Sequence, residues 1–534
     1  MQFLRTTLGL ALVGGLLFWL ALPPFDLGFL AWVAPLPWVW IVLQPQFADR
    51  RPYRSIYAAY FLFWLAALHW LTLPHWATSF GWIALSFYLA FYLPAFIALS
   101  RVCVHQWRMP VALACPLVWV GLEFVQSYLL TGFMMVVLGQ TQYRWTKLIQ
   151  IADVTSTYGL SFAIMLVAAC LAQFWPHAGR KPNYWRLAPI VACFAFLLLY
   201  GWWRTAEDTT EPGPTVALIQ GDVGTELKAD PAKNQLIFEQ YGRLTLRALQ
   251  EAEALDLIVW PETMFRYPWL TFAEGYKPDA SRPYTPEDEM RASKQAIDNV
   301  VLPIRTPMLL GVDRLHSTNA GNQRFNTALF VDRDGSLLGN YAKSHLVMFG
   351  EYVPFAKRFP FLYKLTPLGA GSEAGTAATA VNVNGVCYSP SICFETTLAR
   401  VMRRLVNEAK SGPDGCDPQV LVNLTNDGWF WGSAELDIHL ICGVFRAVEC
   451  RKPLLVAANT GFSAWISSDG KIVKQAKRRA EDVIIAKPQI DHRQSFYLSY
   501  GDVFAIPCFL VVLAATASGL WQSSKQRRTT TART

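Results

Sequence analysis

Three side chains far apart in the chain could together do acyl chemistry: Cys393, Glu262 and Lys343. Cys393 stands in Ser389-Pro-Ser-Ile-Cys-Phe-Glu395, where a short apolar run leads into the thiol. The thiolate is the nucleophilic form of cysteine, and making one in apolar surroundings needs a base and a nearby positive charge. Trp260-Pro-Glu262 and Tyr341-Ala-Lys343 supply them, each at the end of a strand-like run. Taken singly, each has an ordinary structural reading: an inert core thiol, a capping glutamate, a solvated lysine. Taken together they form a base, a cation and a nucleophile. Burial at a strand mouth would raise the carboxyl pKa and make Glu262 a better base near neutrality. Lys343 and a backbone N–H after Cys393 would hold the oxyanion of a tetrahedral intermediate.

The elements that must position these groups lie in the second part of the chain. Thr215–Gly221, Leu255–Trp260, Met308–Val312 and Val420–Leu424 are continuous apolar runs and predict buried strands. Ala232–Ala254 repeats Ile237, Tyr241, Leu244 and Ala248 near a 3.6 period and predicts a helix, as does Glu435–Glu449. Asp334-Gly335 and Asn384-Gly385 sit between strand-like runs and predict hairpins. Leu454–Ala458 and Ser463–Ile466 predict further strands, and Asp469-Gly470 turns the chain once more after them. Strands alternating with helices, with hairpins inserted, predict a layered α/β domain.

The first two hundred residues read differently. The chain is 53% hydrophobic with only 16% charged residues, too apolar for an ordinary soluble protein. A membrane-spanning helix needs about 20 apolar residues. Seven candidates precede the α/β region, at Leu8–Leu22, Leu27–Leu43, Ile56–Leu73, Trp82–Leu99, Val111–Leu130, Leu160–Phe174 and Leu187–Trp203, and an eighth, Val503–Trp521, comes after it. The first could be a signal peptide, but Ala-Leu-Pro-Pro after it is a poor cleavage site and predicts an uncleaved anchor. Gly132–Thr155 is too polar to span and is expected at the interface. Lys and Arg fall in alternate loops (Arg5; Arg50, Arg51 and Arg54; Arg101 and Arg108; Arg180, Lys181 and Arg186; Lys525, Arg527, Arg528 and Arg533), with only Arg144 and Lys147 breaking the pattern. Both termini are thus expected in the cytoplasm and the α/β domain on the far side. Glu123, inside the fifth span, has two readings: a functional charge, or a carboxyl hydrogen-bonded to a neighbouring helix. The predicted organisation is a membrane domain over residues 1–204, a linker over 205–212, a catalytic domain over 213–498, and a final span with a basic tail over 499–534.

Trp260-Pro-Glu262, Lys343 in Lys-Ser-His-Leu-Val-Met-Phe-Gly-Glu-Tyr-Val-Pro354, and Ile-Cys-Phe-Glu395 resemble the Glu–Lys–Cys triad of the nitrilase superfamily. With the spans, Asn426-Asp-Gly-Trp-Phe430, Arg446-Ala-Val-Glu449 and Asn459-Thr-Gly461, the chain resembles its membrane-integrated branch, the apolipoprotein N-acyltransferases. The resemblance implies a multi-span α-helical membrane domain plus an α/β nitrilase-like αββα sandwich. It implies a bacterial inner-membrane enzyme with its catalytic domain in the periplasm. It implies acyl transfer from a phospholipid, through a thioester on Cys393, to the N-terminal amine of a diacylated apolipoprotein, with no metal or cofactor. It gives supporting roles to Glu351 and Glu395 and places Phe394 and Pro354 in the site. Phe394 stands where the family often has tyrosine, Met348 where proline is common, Ala229 where a tryptophan is usual, and Trp431 where glycine is usual.

Tyr267, Trp269, Met348, Phe349, Phe359 and Phe361 flank the triad residues; they fit either a lipid-facing lid or core packing. The basic residues are scattered between apolar runs, which excludes a nucleic-acid patch. His345 and His439 lack paired metal-ligand spacing. Five cysteines, Cys387, Cys393, Cys416, Cys442 and Cys450, fall in the outward-facing domain, so at least one is free. The other functions weighed are a membrane-anchored amidase or esterase of the same triad using water, and an inactive binding domain on a transporter or scaffold.

Overall fold

The computed structural model describes residues 6–47, 49–174, 183–206, 209–278, 283–356, 358–359, 361, 363, 371–412 and 415–531. Arg5, Arg180, Lys181 and Arg533 of the charge pattern lie outside them, and the side chains of Ala229, Arg527 and Arg528 are likewise not described. The chain divides into one unit of residues 1–207 and 495–534 and a second of residues 208–494.

The first unit is helical. Helices occur at all eight expected places, and among the described residues four single helices are long and apolar enough to cross a membrane: Thr78–Gln106, Val111–Thr131, Tyr184–Ala206 and Asp502–Lys525. Thr7–Leu20 and Gly28–Leu43 are shorter apolar helices, and Tyr158–Phe174 meets the threshold only with Thr146–Thr155, from which it is bent by 117°. Apolar composition shows that a segment avoids water, whereas helix length depends on where the chain turns. The first helix ends at Leu20, and the second begins with the 3₁₀ turn Gly28–Trp32. Gln140, Thr141, Gln142 and Gln150 of the polar stretch after Gly132 are buried within the unit. Glu123 takes the structural reading, since its Oε1 accepts from Trp119 Nε1 at 2.9 Å and from Ser161 Oγ on the neighbouring helix at 3.0 Å. Arg144, an exception to the charge pattern, pairs with Asp26.

The second unit contains β1 (Thr210–Glu211), β2 (Val216–Gln220), β3 (Leu257–Phe272), β4 (Met308–Thr318), β5 (Gly321–Val331), β6 (Leu337–Ala342), β7 (Val381–Val383), β8 (Val386–Ile392), β9 (Val420–Thr425), β10 (Leu454–Ala458), β11 (Ala464–Ile466), β12 (Ile472–Gln475), β13 (Asp482–Ala486) and β14 (Ile490–Asp491). Two six-stranded sheets form, in the orders β13-β2-β3-β4-β5-β6 and β12-β11-β10-β9-β8-β7. The sheets face one another, with β10 against β2 and β3, and β8 against β5. Ile237, Tyr241, Leu244 and Ala248 of helix Asn234–Glu251, and Ile297 and Val301 of helix Pro286–Ile304, bury their apolar stripes on the first sheet. Helices Ala399–Ser411 and Glu435–Cys450 pack on the second. The result is the expected αββα sandwich. Its first and last strands, β1 and β14, pair antiparallel with each other.

Two features bear on the site. β2–β3 and β8–β9–β10 are parallel neighbours, so the carboxyl ends of the central strands of each sheet gather together. And β3 does not end at Glu262 as the sequence predicts. It continues to Phe272 through register shifts after Trp260 and after Phe265, with Thr263 in the left-handed region at φ 54°. Such a bulge re-aims a side chain out of the regular ladder. Gly311 of β4 makes room for it, because a Cβ there would lie 2.1 Å from the Pro261 carbonyl oxygen. Gly311→Ala is therefore expected to destabilise the second unit by roughly 1–3 kcal/mol through overpacking. A melting-temperature drop in the detergent-solubilised protein, set against Gly242→Ala where the added Cβ meets nothing within 4 Å, checks it.

Candidate active site

Cys393 comes directly after β8 and opens a 3₁₀ turn, Cys393–Thr397, with its own φ at 52°. Non-glycine residues adopt this conformation rarely, and its cost persists only where the surroundings fix it. Here the Cys393 carbonyl accepts from Thr396 Oγ1 at 3.1 Å, His439 Nε2 at 3.1 Å and Asn423 Nδ2 at 3.3 Å. Thr425, the last residue of β9, places its hydroxyl beside the Cys393 sulfur and donates to Asp427 Oδ1 at 2.8 Å.

Lys343 comes directly after β6 and is buried, with its backbone N–H on the Asn326 carbonyl at 2.8 Å. Its Nζ lies 2.9 Å from Glu351 and 3.9 Å from Glu262 Oε1. Glu351 is set by a tight turn in which Val347 N–H donates to its Oε2 at 2.9 Å. Glu262 is buried and accepts from Asn326 Nδ2 at 2.6 Å, so Asn326 bridges the two carboxylates, reaching Glu351 at 3.4 Å. The lysine is thus paired mainly with Glu351, and Glu262 keeps the looser contact.

The electrostatics reflect this arrangement. Burial raises the Glu262 carboxyl above its ordinary value, with Lys343 opposing and Glu351 reinforcing. Burial acts to lower the Lys343 pKa, but Glu351, Cys393 and Glu262 together hold it above that of a free lysine. Burial pushes the Cys393 thiol well up, Glu262 adds to this, and Lys343 counters it. The resting site is therefore a neutral thiol beside a raised carboxyl and a permanent cation. That set can deprotonate a thiol as it attacks and stabilise the oxyanion formed.

Glu395 does not face this cluster. It is buried, and its Oε1 accepts from Tyr341 Oη at 2.6 Å, Ser344 N–H at 2.9 Å and His345 N–H at 2.9 Å, while Oε2 accepts from Ile392 N–H at 2.8 Å. It ties the segment after Lys343 to the residue before Cys393. Phe394 stacks on His345 with ring centroids 6.1 Å apart, and burial with Arg400, Arg404 and Lys343 nearby holds that imidazole down at about 4.

Of the flanking residues, Tyr267, Phe349, Phe359 and Phe361 are exposed, and Met348 and Pro354 are half-buried. Trp269 is half-buried, packed against the core of the first sheet and under Arg314. Phe355, Trp429 and Trp431 are further exposed aromatics that the sequence reading passed over.

Sequence reasoning also missed Asn326, whose neighbours in β5 give no chemical signal, and the buried group Asp427, Glu435 and His439. These three bring potential ligand atoms within 4.8 Å of one another. The spacing of Glu435 and His439, four apart on one helix, was the available signal. Both His439 ring nitrogens are engaged, Nδ1 by Asp427 Oδ1 at 3.2 Å and Nε2 by the Cys393 carbonyl and Thr396 Oγ1. Outside this group, Arg446 and Glu449 form a buried pair at 2.7 Å, and Arg446 also donates to the Thr397 carbonyl at 3.3 Å, bracing the turn after the thiol. Disulfide Cys387–Cys416 joins β8 to the segment before β9.

Residues 215–496 match the family model for carbon-nitrogen hydrolases, and residues 14–170 match that for the apolipoprotein N-acyltransferase N-terminal domain. Fold and sequence thus define a chain with a carbon-nitrogen hydrolase unit and a helical, apolar unit. The apolipoprotein N-acyltransferase of Rhodopirellula baltica is 31% identical over 90% of this chain and 92% of its own, and that of Geobacter metallireducens 32% identical over 95% and 94%. This chain belongs to the apolipoprotein N-acyltransferase family. A nitrilase-superfamily structure from Saccharomyces cerevisiae aligns with 55% of this chain and 96% of its own at a TM-score of 0.37 and 15% identity.

Although burial opposes it, Asp427 and then Glu435 hold the buried His439 up at about 9. A group whose folded pKa exceeds its unfolded value stabilises fully below the unfolded value and loses that stabilisation as pH rises through the folded one. For His439 this window runs from about 6.5 to about 9, with a contribution on the order of 3 kcal/mol. Glu435, pushed well up by burial and by Asp427, acts with the same sign. The melting temperature is expected to fall from pH 6.5 to 9.5 and to do so less steeply in His439→Gln.

Proposed function

We propose that this chain transfers an acyl group from a phospholipid to the N-terminal α-amino group of a diacylglyceryl-cysteine apolipoprotein. The observation that carries the reading is that Glu262 and Lys343 both act on the Cys393 thiol, within a chain that belongs to this family along nearly its whole length. Glu262 takes the thiol proton as sulfur attacks the ester carbonyl. Lys343 faces the oxyanion. As the tetrahedral intermediate collapses, Glu262 returns the proton to the glyceryl oxygen, which leaves as lysophospholipid, and a thioester remains on Cys393. The apolipoprotein amine then attacks the thioester. Glu262 accepts a proton from the amine and passes it to the departing thiolate, so the amide product and the free thiol close a ping-pong cycle. Glu351 keeps Lys343 charged and in place.

Both substrates carry chains that leave a bilayer at a cost of about 0.8 kcal/mol per methylene. The exposed Tyr267, Phe349, Phe359 and Phe361 give the lipid somewhere to rest beside the site. The alternation of Lys and Arg along the helical unit supports cytoplasmic termini and a periplasmic catalytic unit in the inner membrane, and disulfide Cys387–Cys416 fits an oxidising compartment.

Incubating the purified protein with phospholipid alone is expected to add one acyl mass to Cys393, and adding a diacylated lipopeptide to discharge it as an N-acyl amide. Cys393→Ala should form neither. Amide formed without any acyl-enzyme would exclude the ping-pong order, and free fatty acid in place of amide would favour hydrolysis with water as acceptor.

A further inference from the structure

The acyl-transfer cycle leaves one cation near the base unused. Lys228 is half-buried in the segment after β2, and Glu262 is the strongest charge acting on its ammonium. The side chain is held in place: Nζ donates to the hydroxyl of Thr263, the left-handed residue next to Glu262. The backbone is held too, for Lys228 O accepts from Arg266 Nη2 at 2.9 Å while Arg266 Nη1 donates to the Thr263 carbonyl at 3.1 Å and Nε to Asn234 Oδ1 at 3.3 Å. The bulge that aims Glu262 therefore also aims Lys228.

The charges around it do not balance. Lys228, Arg266, Lys343 and Arg324 face Glu262, Glu351 and Asp313. Asp313 is taken by Arg324, with Nη2 2.9 Å from Oδ2, and Glu351 by Lys343. Among the described residues neither Lys228 nor Arg266 has a carboxylate oxygen within 4.0 Å. One positive charge is left over beside the base, and a second whenever Glu262 carries a proton. A half-buried cation without a counter-charge is costly unless a ligand supplies one.

We propose that Lys228 binds the phosphodiester anion of the acyl donor. The inference rests on the acyl-transfer reading and names the group by which the donor is recognised. A phospholipid carries its phosphodiester a few bonds from the ester oxygen that Glu262 protonates, so a cation within the field of Glu262 is placed for it. A phosphodiester is a monoanion, which matches the single excess charge. Recognition through the phosphate leaves the rest of the headgroup uncontacted by Lys228, so this contact alone does not discriminate among phospholipids.

The test uses the full chain in detergent micelles and reads Cys393 acylation by intact mass with two donors, dioleoyl phosphatidylglycerol and uncharged dioleoylglycerol. In Lys228→Met the ratio of kcat/KM for charged over uncharged donor is expected to fall roughly ten- to a hundredfold, the worth of one hydrogen bond to a charged group. The loss should lie in the donor concentration for half-saturation, and Lys228→Arg should restore most of it. An unchanged ratio overturns the proposal whatever the absolute rates do, and equal losses with both donors assign Lys228 to supporting Glu262 instead. A Cys393 that neither donor acylates in the unsubstituted protein would overturn the acyl-transfer reading itself, and this inference with it.

Discussion

One buried ammonium shared unequally between two carboxylates is the constraint on which the catalytic unit depends. Lys343 is 2.9 Å from Glu351 and 3.9 Å from Glu262. Burying a lone charge is prohibitive, and burying a pair is tolerable only when its geometry is good. Glu351 satisfies Lys343 closely enough to keep it charged and leaves Glu262 the looser partner, its carboxyl raised chiefly by burial. Were the two distances exchanged, Glu262 would be the closely paired carboxylate and Glu351 the loosely held one. The Asn326 amide reaches both acids from the β5 side, Glu262 at 2.6 Å and Glu351 at 3.4 Å.

Cys393 is positioned by a different set of contacts. Cys393 holds a backbone conformation that a strand or helix would not impose, and its carbonyl is gripped by donors from three elements: its own turn, β9 and helix Glu435–Cys450. Glu395 extends the same logic sideways, fastening the residue before the thiol to the segment after Lys343. Asn459 binds the sheets at their shared end, since its side chain reaches both Val223 after β2 and Asn426 after β9. Gly461 is needed there because a Cβ would stand 2.2 Å from Asp427 Oδ2. The motifs around Asn426, Arg446 and Asn459 are therefore scaffolding for the elbow.

Much of this was legible in the sequence because buried parallel strands are continuous apolar runs and the chemistry sits at their ends. β2, β9, β10 and both Gly-turn hairpins lie where apolar runs and turn residues place them. What stayed hidden depends on contacts across the fold. The bulge that carries β3 past Glu262 has no local mark, because Thr263 takes its conformation from Lys228 and Arg266 around it. Asn326 lies in a strand whose following residues serve the core. Helices Pro286–Ile304 and Ala399–Ser411 were missed because their apolar stripes are interrupted by many charges. In the helical unit, hydropathy located the described apolar helices but not their bends and 3₁₀ turns, because these do not alter composition.

The pairing of β1 with β14 has a consequence for how the catalytic unit is wired into the chain. Its two ends leave as neighbours in a short antiparallel ladder, and Gly213 lets them close further, since any side chain there would collide with the Pro488 carbonyl. Everything from Val216 to Ala486 is thus a closed cassette hung on a two-residue clasp. A domain inserted this way keeps its internal geometry whatever the spacing of the helices that flank it, and can be exchanged between hosts as a single piece.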